Sequence, residues 1–134
     1  MTGSSRRFAT WTWGFLFLGW FIFYIFTAPV VHVEADDAYL YGYQVEQDSL
    51  TGLLHPYHPL YLPLMRGLFE VGKSVGVVDR SFPLMIVVGA GLAAASVVLF
   101  SLILWKRLGV SEKPSIAIGG LLGFSYGFWR YAAE

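Results

Sequence analysis

The sequence predicts an all-α membrane protein: three transmembrane helices, with one or two interfacial helices in the first outer loop. Three observations predict it. Apolar stretches occupy 8–28, 82–105 and 115–133, each near the about 20 residues that cross a hydrocarbon core. Basic residues and tryptophans flank them: Arg6 and Arg7 with Trp11 and Trp13, then Trp105-Lys106-Arg107. Of the 134 residues 56% are hydrophobic and 13% charged, against roughly 25% charged in globular chains.

The first span, 8–28, carries no charge. Basic flanks mark the cytoplasmic side and tryptophan the interface, so the N-terminus is expected in the cytoplasm. A signal peptide would have an apolar core of about 7–15 residues before a small-residue cleavage site. This run is longer, and Pro29 stands where the cleavage site would lie. The same length argues against a twin-arginine signal at Ser5-Arg6-Arg7-Phe8. An uncleaved anchor is expected.

Residues 29–81 then lie on the outer side. They open with Glu34-Ala35-Asp36-Asp37. A helix is expected over 36–47, capped by Asp36 or Asp37 and bearing Tyr39, Tyr41 and Tyr43. Asp48-Ser49-Leu50-Thr51-Gly52 reads as a turn. The stretch 60–78 is almost long enough to span, but holds Arg66, Glu70 and Lys73 at helical spacing. Charges in mid-span cost several kcal/mol each, whereas a helix in the interface leaves them in water. An interfacial helix is expected, with Leu60, Leu64, Met65, Leu68 and Phe69 on its apolar face.

The second span, 82–105, returns to the cytoplasmic side, where Lys106, Arg107 and Lys113 cluster. The third, 115–133, heads out again. Gly119, Gly123 and Gly127 recur every four residues in it, and Gly91 and Ala95 do so in the second span. Small residues at that spacing let helices approach closely. The whole chain, 1–134, reads as a single membrane module.

Some chemistry is excluded. Without cysteine there is no disulfide, thiolate metal site or cysteine nucleophile. Net charge is zero, which gives no footprint for nucleic acid. No phosphate-cradling glycine loop, nucleophile elbow or His-Glu-x-x-His motif occurs.

Three constellations remain. Asp36 and Asp37 project about 100° apart on a helix. One can act as general base or metal ligand while the other caps the helix and meets its dipole. Glu34 and Asp36 share one side of an extended segment, a spacing that suits a divalent cation held by oxygen. The plainer reading is a solvated loop with a capping carboxylate. In His55-Pro56-Tyr57-His58-Pro59 the prolines hold the chain extended, which denies the two histidines a helical metal geometry. The segment reads as a rigid strap, with Pro59 in the first turn of the next helix, or as one that sets His58 against a phosphate or sugar hydroxyl. At the end, Arg130 and Glu134 are four apart and can pair on a helix. They belong to an aromatic belt with a snorkelling arginine, or Arg130 neutralises a lipid-linked phosphate.

The order of these pieces resembles the N-terminal part of a GT-C type integral-membrane glycosyltransferase, protein O-mannosyltransferase-like members among them. The resemblance rests on Asp36-Asp37-Ala38-Tyr39 opening the outer loop, His58-Pro59-Leu60-Tyr61 leading into a juxtamembrane helix, and Phe128-Trp129-Arg130-Tyr131-Ala132-Ala133-Glu134 closing a span. It implies a sugar donor on a polyprenyl or dolichyl phosphate and inverting transfer to a hydroxyl. It also implies a catalytic carboxylate at Asp37 or Asp36, Asp37 favoured because it directly precedes Ala38-Tyr39. His58, Arg130 and Glu134 would line the same outer cavity, beside membrane lipid. Such enzymes have many more spans, and three helices hardly enclose a pocket of about 300–1,000 Å³. The isolated chain is therefore expected to be a fragment, a split product or a small subunit, without activity alone. The competing expectation is a non-catalytic subunit packing its glycine faces on a larger membrane protein. A transporter or channel component would want charges within the spans, and 8–28 and 82–105 have none.

Overall fold

The computed structural model describes residues 3–28, 35–49, 51–54 and 60–125, with side chains in the first two helices from Trp11 and from Tyr39 onward. Every regular element among the described residues is a helix: α1 (Gly3–Thr27), α2 (Ala35–Gln47), α3 (Tyr61–Ser74), α4 (Ser81–Lys106) and α5 (Glu112–Phe124). The helices fall into two compact units. One holds α1, α5 and α4 from Gly89 onward; the other holds α2, α3 and α4 up to Val88.

Proline marks three of the helix starts. Pro63, Pro83 and Pro114 each stand third in their helix. First-turn N–H groups have no partner inside the helix, so losing one there costs little. Pro59, expected in the first turn of α3, lies outside the described residues; the proline in the first turn of α3 as it begins at Tyr61 is Pro63. Glycine marks two of the ends. Gly76 and Gly109, both at φ +71°, close α3 and α4 in the left-handed conformation that favours glycine. After α3 the Val77 N–H bonds Gly72 O at 2.9 Å.

Among the described residues, α4 is the helix long and apolar enough to cross a membrane: 26 residues, mean hydropathy 2.5, and only 28% of its apolar window buried. A helix so apolar and so little covered by its own chain has the character of membrane association. Its bounds lie one residue outside the expected 82–105. In α1 the corresponding apolar helix is Trp11–Thr27, and Trp11, Phe15 and Phe26 are exposed on it. α5 departs from expectation. The helix foreseen to about 133 stops at Phe124, and Ser125 is extended at φ −61°, ψ 136°. Both the Ser125 amide and its hydroxyl donate to Leu122 O, a local bond that competes with the helix ladder. Thirteen residues rise about 20 Å, short of the about 30 Å hydrocarbon core. Residues 126–134 lie outside the described ones.

In the first unit, Tyr24, Ala90, Ala93 and Ala94 form a buried cluster, with Trp20, Phe21, Phe23 and Ile25 packed on it. The small-residue face of α4 is therefore Ala90, Ala93 and Ala94, continued by buried Val97 and Ser101. It is not the expected Gly91–Ala95 pair: a Cβ on Gly91 would meet only the Phe21 ring, at 4.0 Å. The glycines of α5 are used within the chain. A Cβ on Gly119 would collide with the Ser101 side chain, and one on Gly123 would come within 2.7 Å of the Trp20 ring. The Tyr24 hydroxyl donates to Gly123 O at 3.1 Å, serving a carbonyl in the last turn of α5 that has no partner in its own helix.

The second unit has its own core: Val45 of α2, Leu53 of the turn, Leu62, Met65 and Phe69 of α3, and Met85 of α4. Burying each such side chain contributes about 1.5–3 kcal/mol. The turn after α2 forms as expected, with the Gly52 and Leu53 amides bonding Ser49 O at 2.9 and 3.2 Å. The expected apolar face of α3 divides in two. Met65 and Phe69 point into this core, whereas Leu60, Leu64 and Leu68 are exposed.

Candidate functional site

α2 starts at Ala35. Asp36 and Asp37 are therefore its second and third residues, inside the first turn rather than capping it. The unpaired N–H groups and the helix dipole at that end favour ionised carboxylates. Residues three, four and seven apart share a helix face. Position 36 thus falls in register with Tyr39, Leu40 and Tyr43, which are exposed. Position 37 falls in register with Tyr41 and Gln44, which are half-buried. The two positions stand about 100° apart around the helix axis, and Leu40, which is exposed, is in register with both.

Three attachments hold α2 in place. Near its start, the Tyr39 ring stacks on Phe82 of α4, centroids 4.6 Å apart. In the last turn, the Glu46 carboxylate accepts the Ser81 amide at 2.9 Å, the first N–H of α4. The Ser81 hydroxyl lies 2.8 Å from Gly42 O and 3.1 Å from Glu46 Oε1. Gly42 leaves room for this approach; a Cβ there would stand 3.3 Å from the Ser81 hydroxyl. A carboxylate from one helix so caps the start of another. Arg80 adds a contact to Glu46 at 3.4 Å from an exposed side chain, a minor contribution at such exposure. The Ser81 amide bond holds the Glu46 carboxyl below its ordinary value; burial opposes this, and the Ser81 hydroxyl and Arg80 assist it.

At its end, α2 is met by Arg66 of α3. The guanidinium donates to Val45 O at 2.7 Å and reaches Asp48 O at 3.4 Å, while pairing with Glu70 at 2.8 Å. The last carbonyls of a helix lack partners and carry its negative end, so a cation there is favourable. Arg66 therefore does not lie idle in a solvated stripe with Glu70 and Lys73; it ties α3 to α2. Against the core of this unit, burial pushes the Tyr61 phenol up from its ordinary value.

Glu34, His58, Arg130 and Glu134 lie outside the described residues. So does half of the cation pair Glu34 and Asp36. Among the described residues no group of three His, Asp or Glu side chains could hold a metal ion. Sequence reasoning missed Glu46 and Ser81. Only one signal marked them: a serine immediately before a long apolar run is a helix-start residue, and its acceptor lies 35 positions upstream. Compared with protein-family models, curated proteins and solved structures, the chain matches none.

Proposed function

We propose that this chain is the first module of a membrane-embedded glycosyltransferase of the GT-C type. It takes a sugar from a polyprenyl or dolichyl phosphate and passes it, with inversion, to an acceptor hydroxyl. Three spans would carry the module, with residues 29–81 on the outer side of the membrane. The observation that carries this reading is the placement of Asp36 and Asp37. They open a helix that is fixed from Tyr39 to its last turn by Phe82, Ser81 and Arg66, and that follows a long apolar helix. A general base needs such a rigid mount, because proton transfer depends on reach to the acceptor oxygen.

In this mechanism one carboxylate of the pair takes the hydroxyl proton as the acceptor oxygen attacks the anomeric carbon. The bond from that carbon to the phosphate oxygen breaks, and the lipid phosphate leaves with the electron pair. Arg130 and His58 would neutralise it, Arg130 through a guanidinium that matches phosphate geometry, and Glu134 would line the same cavity. No step is assigned to a divalent cation.

The rival reading, a small subunit packed by its glycine face on a larger membrane protein, loses part of the surface it was drawn from. Gly119 and Gly123 face Ser101 and Trp20 of this chain.

The test is sugar transfer by the intact membrane protein, supplied with polyprenyl-phosphate mannose or polyprenyl-phosphate glucose. Losing the base should lower turnover by about 10²–10⁴-fold in Asp36→Asn or Asp37→Asn. Transfer at full rate by both variants would remove the catalytic assignment.

A further inference from the structure

α3 has two apolar faces, and the described residues cover only one. Leu62, Met65 and Phe69 are buried against α2 and Met85. Leu60, Leu64, Leu68, Val71 and Val75 are exposed, at 81%, 51%, 39%, 63% and 67%. At about 100° per residue, Leu64, Leu68 and Val71 fall within an arc of about 60°, and Leu60 and Val75 extend the same stripe at either end. Arg66, Glu70 and Lys73 centre about 160° away from it, nearly diametrically opposite. Apolar residues on one side and charges on the other mark a helix that lies in a membrane interface.

The connection to α4 identifies what covers the stripe. Six residues, 75–80, join α3 to α4. Their turn is closed by left-handed Gly76, by the Val77 and Val78 amides on Gly72 O, and by Val78 packed on Gly72 so closely that a Cβ there would stand 2.7 Å from it. The stripe is thus held beside the start of the helix that is apolar enough to cross a membrane, and Val77, 78% exposed, continues it toward α4.

We infer that the outward face of α3 is a membrane-docking surface, seated in the leaflet where α4 begins. Leu60, Leu64, Leu68, Val71 and Val75 enter the boundary between headgroups and acyl chains; Glu70 and Lys73 face water. α2 packs on the other apolar face, so it rides on the water side of α3 rather than lying in the interface as a second interfacial helix. Its exposed Tyr39 and Tyr43 then reach the headgroup layer, the usual station of tyrosine. This inference rests on the membrane crossing by α4, and not on glycosyl transfer.

The chain has no cysteine, so single cysteines report cleanly. Nitroxide labels at Leu64→Cys, Leu68→Cys, Val71→Cys, Glu70→Cys and Lys73→Cys are read in the full chain, in phosphatidylcholine–phosphatidylglycerol vesicles. Oxygen and a water-soluble nickel chelate serve as relaxers, with Leu99→Cys in α4 as reference. The expected result is oxygen access several-fold above nickel access at 64, 68, 71 and 99, reversed at 70 and 73. Nickel access at 64, 68 and 71 with 99 still in lipid overturns the docking surface alone. Nickel access at 99 as well overturns the membrane crossing with it. Protection from both relaxers, with spin–spin broadening between chains, would put a second copy on the stripe and overturn the inference.

Discussion

Glu46 shows how one carboxylate can join two helices. It receives the first amide of α4 from its seat on α2, and that bond holds its carboxyl below the ordinary value. A carboxyl lowered on folding stabilises the fold above its unfolded value, and that stability is lost as pH falls through the folded one. Acid should therefore release α2 from α4. Hydrogen exchange at the Ser81 amide should accelerate below the ordinary glutamate range relative to Glu46→Gln, which keeps an acceptor oxygen but cannot titrate. An identical acid response in both proteins would show that another group controls the joint. The pairing was not legible in the sequence, because Glu46 and Ser81 are 35 residues apart and neither belongs to a motif. Asp36 and Asp37 were legible as a helix start. That they lie within the first turn required the start at Ala35 to be seen.

At the scale of elements, apolar periodicity revealed more. The start and end of α4 and the existence of α2 and α3 follow from charge-free runs, turn residues and the four-and-three spacing of Arg66, Glu70 and Lys73. Register was harder. Met65 and Phe69 look equivalent to Leu64 and Leu68 in sequence, yet one pair is buried and the other exposed. The positions of α2, of Leu53 in the turn and of Met85 in α4 decide between them. The glycines of α5 were read correctly as contact points, but their neighbours proved to be Trp20 and Ser101 of the same chain. Gly123→Leu should therefore loosen α5 from α1 by about 1–3 kcal/mol through overpacking, and lower the melting temperature of the purified protein. Gly19→Ala, where a Cβ meets nothing within 4 Å, should leave it unchanged or higher. Equal melting temperatures for both variants would mean that the Gly123–Trp20 contact does not hold α5.

At the scale of the whole molecule, each unit has a distinct job in the proposed enzyme. Apolar α1 and α4 supply attachment to the membrane, and the α2–α3 unit supplies a rigid helix whose first turn holds two carboxylates. Composition announced the first job. The second depended on tertiary bonds from Arg66 and Ser81, which no local pattern encodes. The central claim is that α4 crosses the bilayer and leaves the α2–α3 unit outside. Two exposed serines bracket it: Ser49 after α2 and Ser111 after α4. Ser49→Cys and Ser111→Cys, treated with a membrane-impermeant maleimide in sealed, right-side-out membranes, give the most direct test. The account predicts modification of Ser49→Cys at once and of Ser111→Cys only after permeabilisation. Modification of both before permeabilisation, or of Ser111→Cys alone, would contradict it.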